Sequence, residues 1–170
     1  IICLVLLSSY SYSEEPPPDG PYETFYENGQ LEMRGNVQDG KETGLWEIFY
    51  ENGQLEERIT FKDGIEDGLV ELFFENGQFQ LKGNFKDGEK DGLVELFFEN
   101  GQIKERLNFK DGEWDGRVEW FYENGQLKGR GNYRDGIEDG PMESYYLNGQ
   151  LENKFTSKDG LPVGLGERFY

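Results

Sequence analysis

Carboxylates are the side chains with the greatest capacity for chemistry in this 170-residue chain, which contains 35 Asp and Glu, 17 Lys and Arg and no His. Two carboxyl groups in different environments could act as a general acid and base, because their pKa values would separate. Here, however, glutamates recur at a fixed interval, each matched with a base at a fixed distance. We therefore expect them all to be ionised and alike, and we predict a non-enzymatic protein without a cofactor.

Acidic loops are a possible site for a cation. The loops 63–68, 87–92 and 111–116 each place several carboxylates within a tight turn, and Ca²⁺ prefers oxygen ligands at short spacing. Asp-Gly is also favoured in turns for its own conformational reasons, and the full spacing of a calcium-binding loop is absent. Turn formation is the main interpretation, with calcium binding as a minor alternative.

Aromatic side chains offer a third kind of site, because Tyr and Trp are favoured in protein interfaces. Trp114 is the first candidate, since Glu113 and Asp115 on either side predict a solvated turn in which a tryptophan has no packing role. A Tyr/Phe column could hold an extended peptide or a sugar, although packing within a thin sheet is the alternative interpretation. The remaining candidate contacts are Trp46, Trp120, Tyr26, Tyr50, Tyr122 and Tyr146.

The elements that must position these side chains follow from a repeat of 24 residues without insertions, a mark of a repeat array. In one unit, the segments 69–75 and 78–86 are rich in Val, Phe and Leu, and Asn76-Gly77 joins them. Asn-Gly between two such segments predicts a β-hairpin with a two-residue type I′ turn. Glu75 would then face Gln78 and Phe74 would face Phe79. Six units and the start of a seventh predict about 13 strands.

The predicted register places opposite charges face to face in every complete unit. Each such pair contributes about 0.2–1 kcal/mol, and its main role is to fix the register. A slip of one residue would move every side chain to the opposite face. The other face carries an aliphatic and aromatic stripe. The predicted pairs are Glu23–Arg34, Glu47–Arg58, Glu71–Lys82, Glu95–Arg106, Glu119–Arg130 and Glu143–Lys154.

The segments 49–55 (Phe-Tyr-Glu-Asn-Gly-Gln-Leu) and 61–69 (Phe-Lys-Asp-Gly-Ile-Glu-Asp-Gly-Leu) carry a family resemblance. The pattern resembles the MORN repeat, and most closely its variant in the bacterial YwqK-family toxin–antitoxin system antitoxins. The resemblance implies an all-β fold, an elongated and twisted antiparallel β-meander of stacked hairpins. It also implies a non-enzymatic protein–protein interaction module, which could be antitoxin-like or immunity-like. Asp67 and its equivalents replace the His of the common MORN His-Gly, which makes phospholipid binding less plausible.

The chain divides into three segments by composition. Residues 1–13 contain a short apolar run followed by small and polar residues, which is typical of the remainder of a secretory signal peptide. Residues 14–19 form an acidic, Pro-rich linker, and residues 20–170 form the repeat array. The sequence therefore predicts an exported protein, in the periplasm, outside the cell or at its surface. Cys3 lies within the predicted signal, so the mature chain would have no disulfide.

The net charge of −18 restricts the class of partner. Nucleic acids and anionic membranes both require basic surfaces, so we predict no nucleic-acid binding and consider an anionic membrane an unlikely partner. Another protein, basic or neutral, is the expected partner. The alternative function is a structural or adhesive surface protein whose arrays associate edge to edge.

Overall fold

A computed structural model describes residues 17–169 as one open antiparallel β-sheet, without a helix in that range. The predicted all-β meander is therefore confirmed, whereas the predicted signal peptide and the first half of the linker, residues 14–16, lie outside the described residues. The strands are β1 (Gly20–Phe25), β2 (Leu31–Gln38), β3 (Lys41–Phe49), β4 (Leu55–Lys62), β5 (Ile65–Phe73), β6 (Phe79–Lys86), β7 (Glu89–Phe97), β8 (Ile103–Lys110), β9 (Glu113–Trp114), β10 (Gly116–Phe121), β11 (Leu127–Arg134), β12 (Ile137–Glu138), β13 (Gly140–Tyr145), β14 (Leu151–Lys158) and β15 (Leu161–Arg168).

Consecutive strands pair with one another except β9 with β10 and β12 with β13, and no connection crosses the sheet. Strands β9 and β10 both pair with β8, as β12 and β13 both pair with β11. Each of these couples is one interrupted strand, so the 15 strands of the described range occupy 13 positions. The number of positions is the one that the repeat count predicts.

The Asn-Gly turns differ from the predicted two-residue form. The Gly77 N–H donates to the Phe74 carbonyl at 2.8 Å, and the Phe74 N–H donates to the Gln78 carbonyl at 2.8 Å. Of the loop residues only Gly77 has a positive φ, at 80°. This is a three-residue loop, a type I turn closed by a left-handed glycine. The predicted pairing of Phe74 with Phe79 is therefore wrong, because Phe73 occupies that place.

A β-bulge restores the register that the turn has shifted. Phe73 pairs with Phe79, whereas Leu72 pairs with Leu81, so Gln80 is an extra residue on its strand. The longer loop and the bulge each shift the register by one residue, in opposite directions. Glu71 consequently faces Lys82, as the sequence predicts. The same irregularity recurs in all six described hairpins of this kind.

The type I′ turns lie at the opposite ends of the strands, in the Asp-Gly pairs. Asp63 and Gly64 both have positive φ, 54° and 79°, and they separate the paired residues Lys62 and Ile65. Asp tolerates the left-handed conformation better than most residues do. The Gly64 N–H donates to the carbonyl of Glu42, which lies at the start of β3 just after the preceding Asp-Gly turn, at 2.9 Å. The turns on this side therefore link each repeat to the next.

One face of the sheet, called the core face here, holds the apolar core. Val70, Val94 and Val118 are fully buried on it, with Phe85 and Phe109 beside them. On this face, equivalent positions of successive repeats form a column in which glycine alternates with a large side chain. At each glycine, the side chain of a residue on the neighbouring strand fills the space that a side chain would occupy. A Cβ on Gly35, for example, would overlap the indole ring of Trp46. The column consists of Gly35, Ile59, Gly83, Leu107, Gly131 and Phe155.

Candidate interaction surface

The face opposite the core face carries a row of alternating charges, called the acid–base ladder here. Glu71 illustrates it: its carboxylate is 3.1 Å from Arg58 Nη1 and 3.2 Å from Lys82 Nζ, and the residue is only 4% exposed. Arg58 also contacts Glu47 at 3.3 Å, so this cation joins the repeats on both of its sides. The ladder comprises Glu23, Arg34, Glu47, Arg58, Glu71, Lys82, Glu95, Arg106, Glu119, Arg130, Glu143, Lys154 and Glu167.

The six pairs named from the sequence face each other in the sheet, but their ion pairs are unequal. Arg34 reaches forward to Glu47 at 2.6 Å, and Arg130 reaches forward to Glu143 at 2.5 Å. Neither makes an ion pair with its predicted partner in the described part of the chain, Glu23 and Glu119 respectively. A hydrogen bond from the Tyr145 hydroxyl, with those from Arg130 and Lys154, lowers the pKa of Glu143 to about 2.

The tyrosine column joins neighbouring repeats. The Tyr26 hydroxyl donates to the Phe49 carbonyl at 2.6 Å, and the Tyr50 hydroxyl donates to the Phe73 carbonyl at 2.7 Å. Tyr122 and Tyr146 bond carbonyls 23 residues further along in the same way. Their hydroxyls therefore have a structural role, because they join neighbouring repeats. Whether their rings also contact a partner stays a prediction.

Trp114 does not lie in a solvated turn, and that expectation is wrong. It belongs to β9, faces Phe109 across the strand pair, and is only partly exposed. Its ring centroid is 4.9 Å from that of Tyr133 and 6.2 Å from that of Trp120. Trp114 therefore packs against the core, and Tyr133 is the partner that sequence reasoning missed.

Trp46 offers little surface to a partner. It is 5% exposed, and its indole N–H donates to the Asn36 carbonyl at 3.2 Å. Its predicted role as a contact is therefore not supported by its position. Trp120 differs, because it is partly exposed and lines a depression in the core face.

That depression, called the C-terminal groove here, has a volume of about 710 Å³, within the range of small-molecule pockets. The groove results from one column of facing positions on neighbouring strands of the core face. In the central repeats this column holds Leu72, Leu81 and Leu96. The last repeats have small or polar residues after Trp120 in the same column, so the space stays open. The groove is lined chiefly by Trp120, Gly129, Met142, Ser144, Asn153, Phe155, Gly166 and Arg168.

Polar groups lie at one side of the groove and are fixed to one another. The Ser144 hydroxyl donates to Glu152 Oε2 at 3.1 Å, and Asn153 Nδ2 donates to the Ser144 hydroxyl at 3.2 Å. Thr24 makes the equivalent bond to Glu32 at 2.9 Å in the first repeat. The groove thus combines an apolar floor with oriented polar side chains, which suits a partner side chain with an apolar body.

A family model described as MORN repeat variant matches six segments of the chain, 18–39, 42–63, 66–87, 90–111, 114–135 and 138–159. The chain belongs to the MORN repeat variant family. Each matched segment ends next to an Asp-Gly turn of the sheet, so the family unit and the structural unit coincide. No curated protein matches this MORN chain significantly.

The glutamates of the MORN array are not all alike, contrary to the expectation from the repeat. Glu57 lies on the core face between Ile48 and Leu72, outside the acid–base ladder. Burial, with smaller contributions from the charges of Glu56 and Glu66, raises the pKa of Glu57 to about 7. The core face therefore contains one carboxyl group that titrates near neutral pH.

Glu57→Gln is expected to stabilise the MORN array above neutral pH. An acid whose pKa is higher in the folded state loses stability as pH rises from its unfolded value of about 4.5. The variant should therefore abolish most of the decline in the free energy of unfolding between pH 5 and 8, and gain about 1–2 kcal/mol at pH 8. Urea unfolding at several pH values measures this. Glu105→Gln, in the same column between Leu96 and Trp120, is the matched control. Parallel pH profiles for wild type and Glu57→Gln would contradict the assignment.

Metal ions and membranes are two further possible partners of the MORN array. Between residues 17 and 169, no group of three or more acidic residues is placed to hold a metal ion. The Asp-Gly loops form type I′ turns, as in the main interpretation of these loops from the sequence. No helix of the described range has the length and apolarity needed to cross a membrane.

Proposed function

We propose that this MORN protein is a non-enzymatic protein-binding module that holds its partner in the C-terminal groove. The groove itself carries the proposal, because it opens where the core face would otherwise be closed by leucines. The polar residues at its side would orient a bound segment. Concave sites with an apolar lining and a few fixed polar groups are typical of binding sites.

The groove favours a neutral partner segment with an apolar or aromatic anchor. Its floor is formed by Met142 and Phe155, and Trp120 forms one wall. Outside the ladder, the groove is lined by the cations Lys128 and Arg168, and its Ser144 is bonded to Glu152. Charges of both signs therefore lie near the groove, so no single charge is selected there. Burying an aromatic anchor against Trp120 would supply most of the binding free energy.

We further propose that the protein is exported, on the basis of the apolar segment at residues 1–13. Export would place the groove in the periplasm or outside the cell and would exclude a cytoplasmic partner. Cell fractionation of the full-length protein tests this. An antitoxin-like or immunity-like role stays a prediction of the family resemblance, and neutralisation of a neighbouring toxin would test it.

Filling the groove is expected to abolish partner binding without unfolding the sheet. Ser144→Leu places a leucine where the central repeats have Leu72 and Leu96, so the fold should accept it. We expect at least about a tenfold loss of affinity, since the anchor would no longer fit. The measurement is affinity capture from an extract of the source cells, followed by titration of the captured protein against each variant.

Thr24→Leu is the matched control for this experiment. Thr24 occupies the same column as Ser144 and makes the same hydrogen bond to a glutamate, but it lies at the other end of the array. Binding should be unchanged in this variant. A partner that binds Ser144→Leu as tightly as wild type would refute the groove as the contact site.

A further inference from the structure

The sheet ends on β1 and β15, which each have one neighbouring strand in the described range. On β1 the ladder ends with Glu23. Its facing cation, Arg34, directs its guanidinium to Glu47 at 2.6 Å. Glu23 is exposed and makes no ion pair with any residue that the structure describes. Among the described residues, Glu23 therefore has no cation paired with its carboxylate on either side of β1.

Inner glutamates show where such cations lie. Glu47 is bridged by Arg34 on one side and by Arg58 at 3.3 Å on the other, and Glu143 is bridged in the same way by Arg130 and Lys154. In each case one cation belongs to the preceding strand. A strand added at the outer edge of β1 would occupy that place for Glu23.

We propose that the outer edge of β1 binds an extended basic segment of another protein, antiparallel, with Arg or Lys opposite Glu23. Main-chain hydrogen bonds to the β1 segment from Glu23 to Phe25 would hold the segment, as in β-strand addition to other exposed edges. The cation would set the register, as it does within the array. This site is separate from the C-terminal groove and does not depend on it.

The same charges disfavour the edge-to-edge self-association considered from the sequence. β15 ends the ladder with another acid, Glu167, which faces Lys154. Pairing β15 of one copy with β1 of the next in ladder register would place Glu167 beside Glu23, and like charges directly opposite are destabilising. Pro162 also lies on the edge strand β15, where proline hinders pairing with other chains.

The test uses the full chain and a synthetic peptide with the sequence of β2, Leu-Glu-Met-Arg-Gly-Asn-Val-Gln. In the register that β2 takes against β3, its arginine would face Glu23. Titration of ¹⁵N-labelled protein should shift the amide resonances of residues 22–25. The peptide carrying the change Arg34→Glu should bind at least about fivefold more weakly, because attraction becomes repulsion. Glu23→Lys in the protein should reverse this preference.

Several outcomes would overturn the proposal. These are no binding of the arginine peptide, equal affinity for the two peptides, or shifts centred away from β1. Self-association of the wild-type chain through β1 and β15 with rising concentration would do the same. Ser144→Leu should leave peptide binding unchanged, so failure of the groove and failure of this edge site are distinguishable.

Discussion

Gly35→Leu is expected to lower the free energy of unfolding by about 3 kcal/mol, the upper part of the usual range for overpacking. The space above Gly35 is filled by the indole ring of Trp46, which is itself 5% exposed and packs against the rings of Tyr22 and Phe61. The added side chain must displace either this ring or the backbone between β2 and β3. The urea midpoint, followed by circular dichroism, measures the loss.

A second change should restore much of this stability. In the same column Leu107 lies between Val94 and Val118 without conflict, so a leucine is accepted where its neighbours are valines. We therefore expect Gly35→Leu with Trp46→Val to be more stable than Gly35→Leu alone. A double variant no more stable than the single one, or a single variant as stable as wild type, would contradict this account of the alternation.

Glu71→Lys is the second large effect, with an expected loss of about 3 kcal/mol in the free energy of unfolding. Glu71 is 4% exposed and sits between Arg58 and Lys82, at 3.1 and 3.2 Å. Replacing it would leave three cations in a row, the central one at a position that is shielded from solvent. Thermal and urea unfolding at low ionic strength measure the loss, which high salt should reduce.

Glu23→Lys provides the comparison, because Glu23 occupies the same ladder position at the open end. Its side chain is exposed and makes no ion pair with the described residues, so reversal should cost less than about 0.5 kcal/mol. Equal losses in the two variants would show that burial and double bridging of Glu71 do not govern the strength of the ladder.

The register predicted from the sequence is correct although the predicted loop is one residue too short and the β-bulge was not predicted. The two differences shift the register in opposite directions and cancel. The Asn76-Gly77 turn is longer than a type I′ turn, and the bulge at Gln80 cancels the difference. The charge pattern of Glu71 and Lys82 nevertheless identifies the correct pairing, because opposite charges must meet on one face. Turn type was not predictable from the dipeptide alone, since Asn-Gly also suits the three-residue loop.

The groove was not predicted from the sequence, because it forms where small or polar residues replace the leucines of the central repeats. Its signal is present in the sequence: one column reads Leu81, Glu105, Gly129 and Asn153 when the repeats are aligned. Trp114 was misassigned because its packing partner, Tyr133, lies in the next repeat. The raised pKa of Glu57 could not be predicted either, since it depends on burial between side chains of two neighbouring strands.

The unbroken order of the strands has a consequence for how quickly the chain reaches its native state. All-β proteins are usually slow folders, because their contacts join segments far apart in sequence. Here each strand contacts the segment made just before it, so contact order is low for a sheet of this size. Hairpins can close one after another as the polypeptide leaves the ribosome, each using its predecessor as a template.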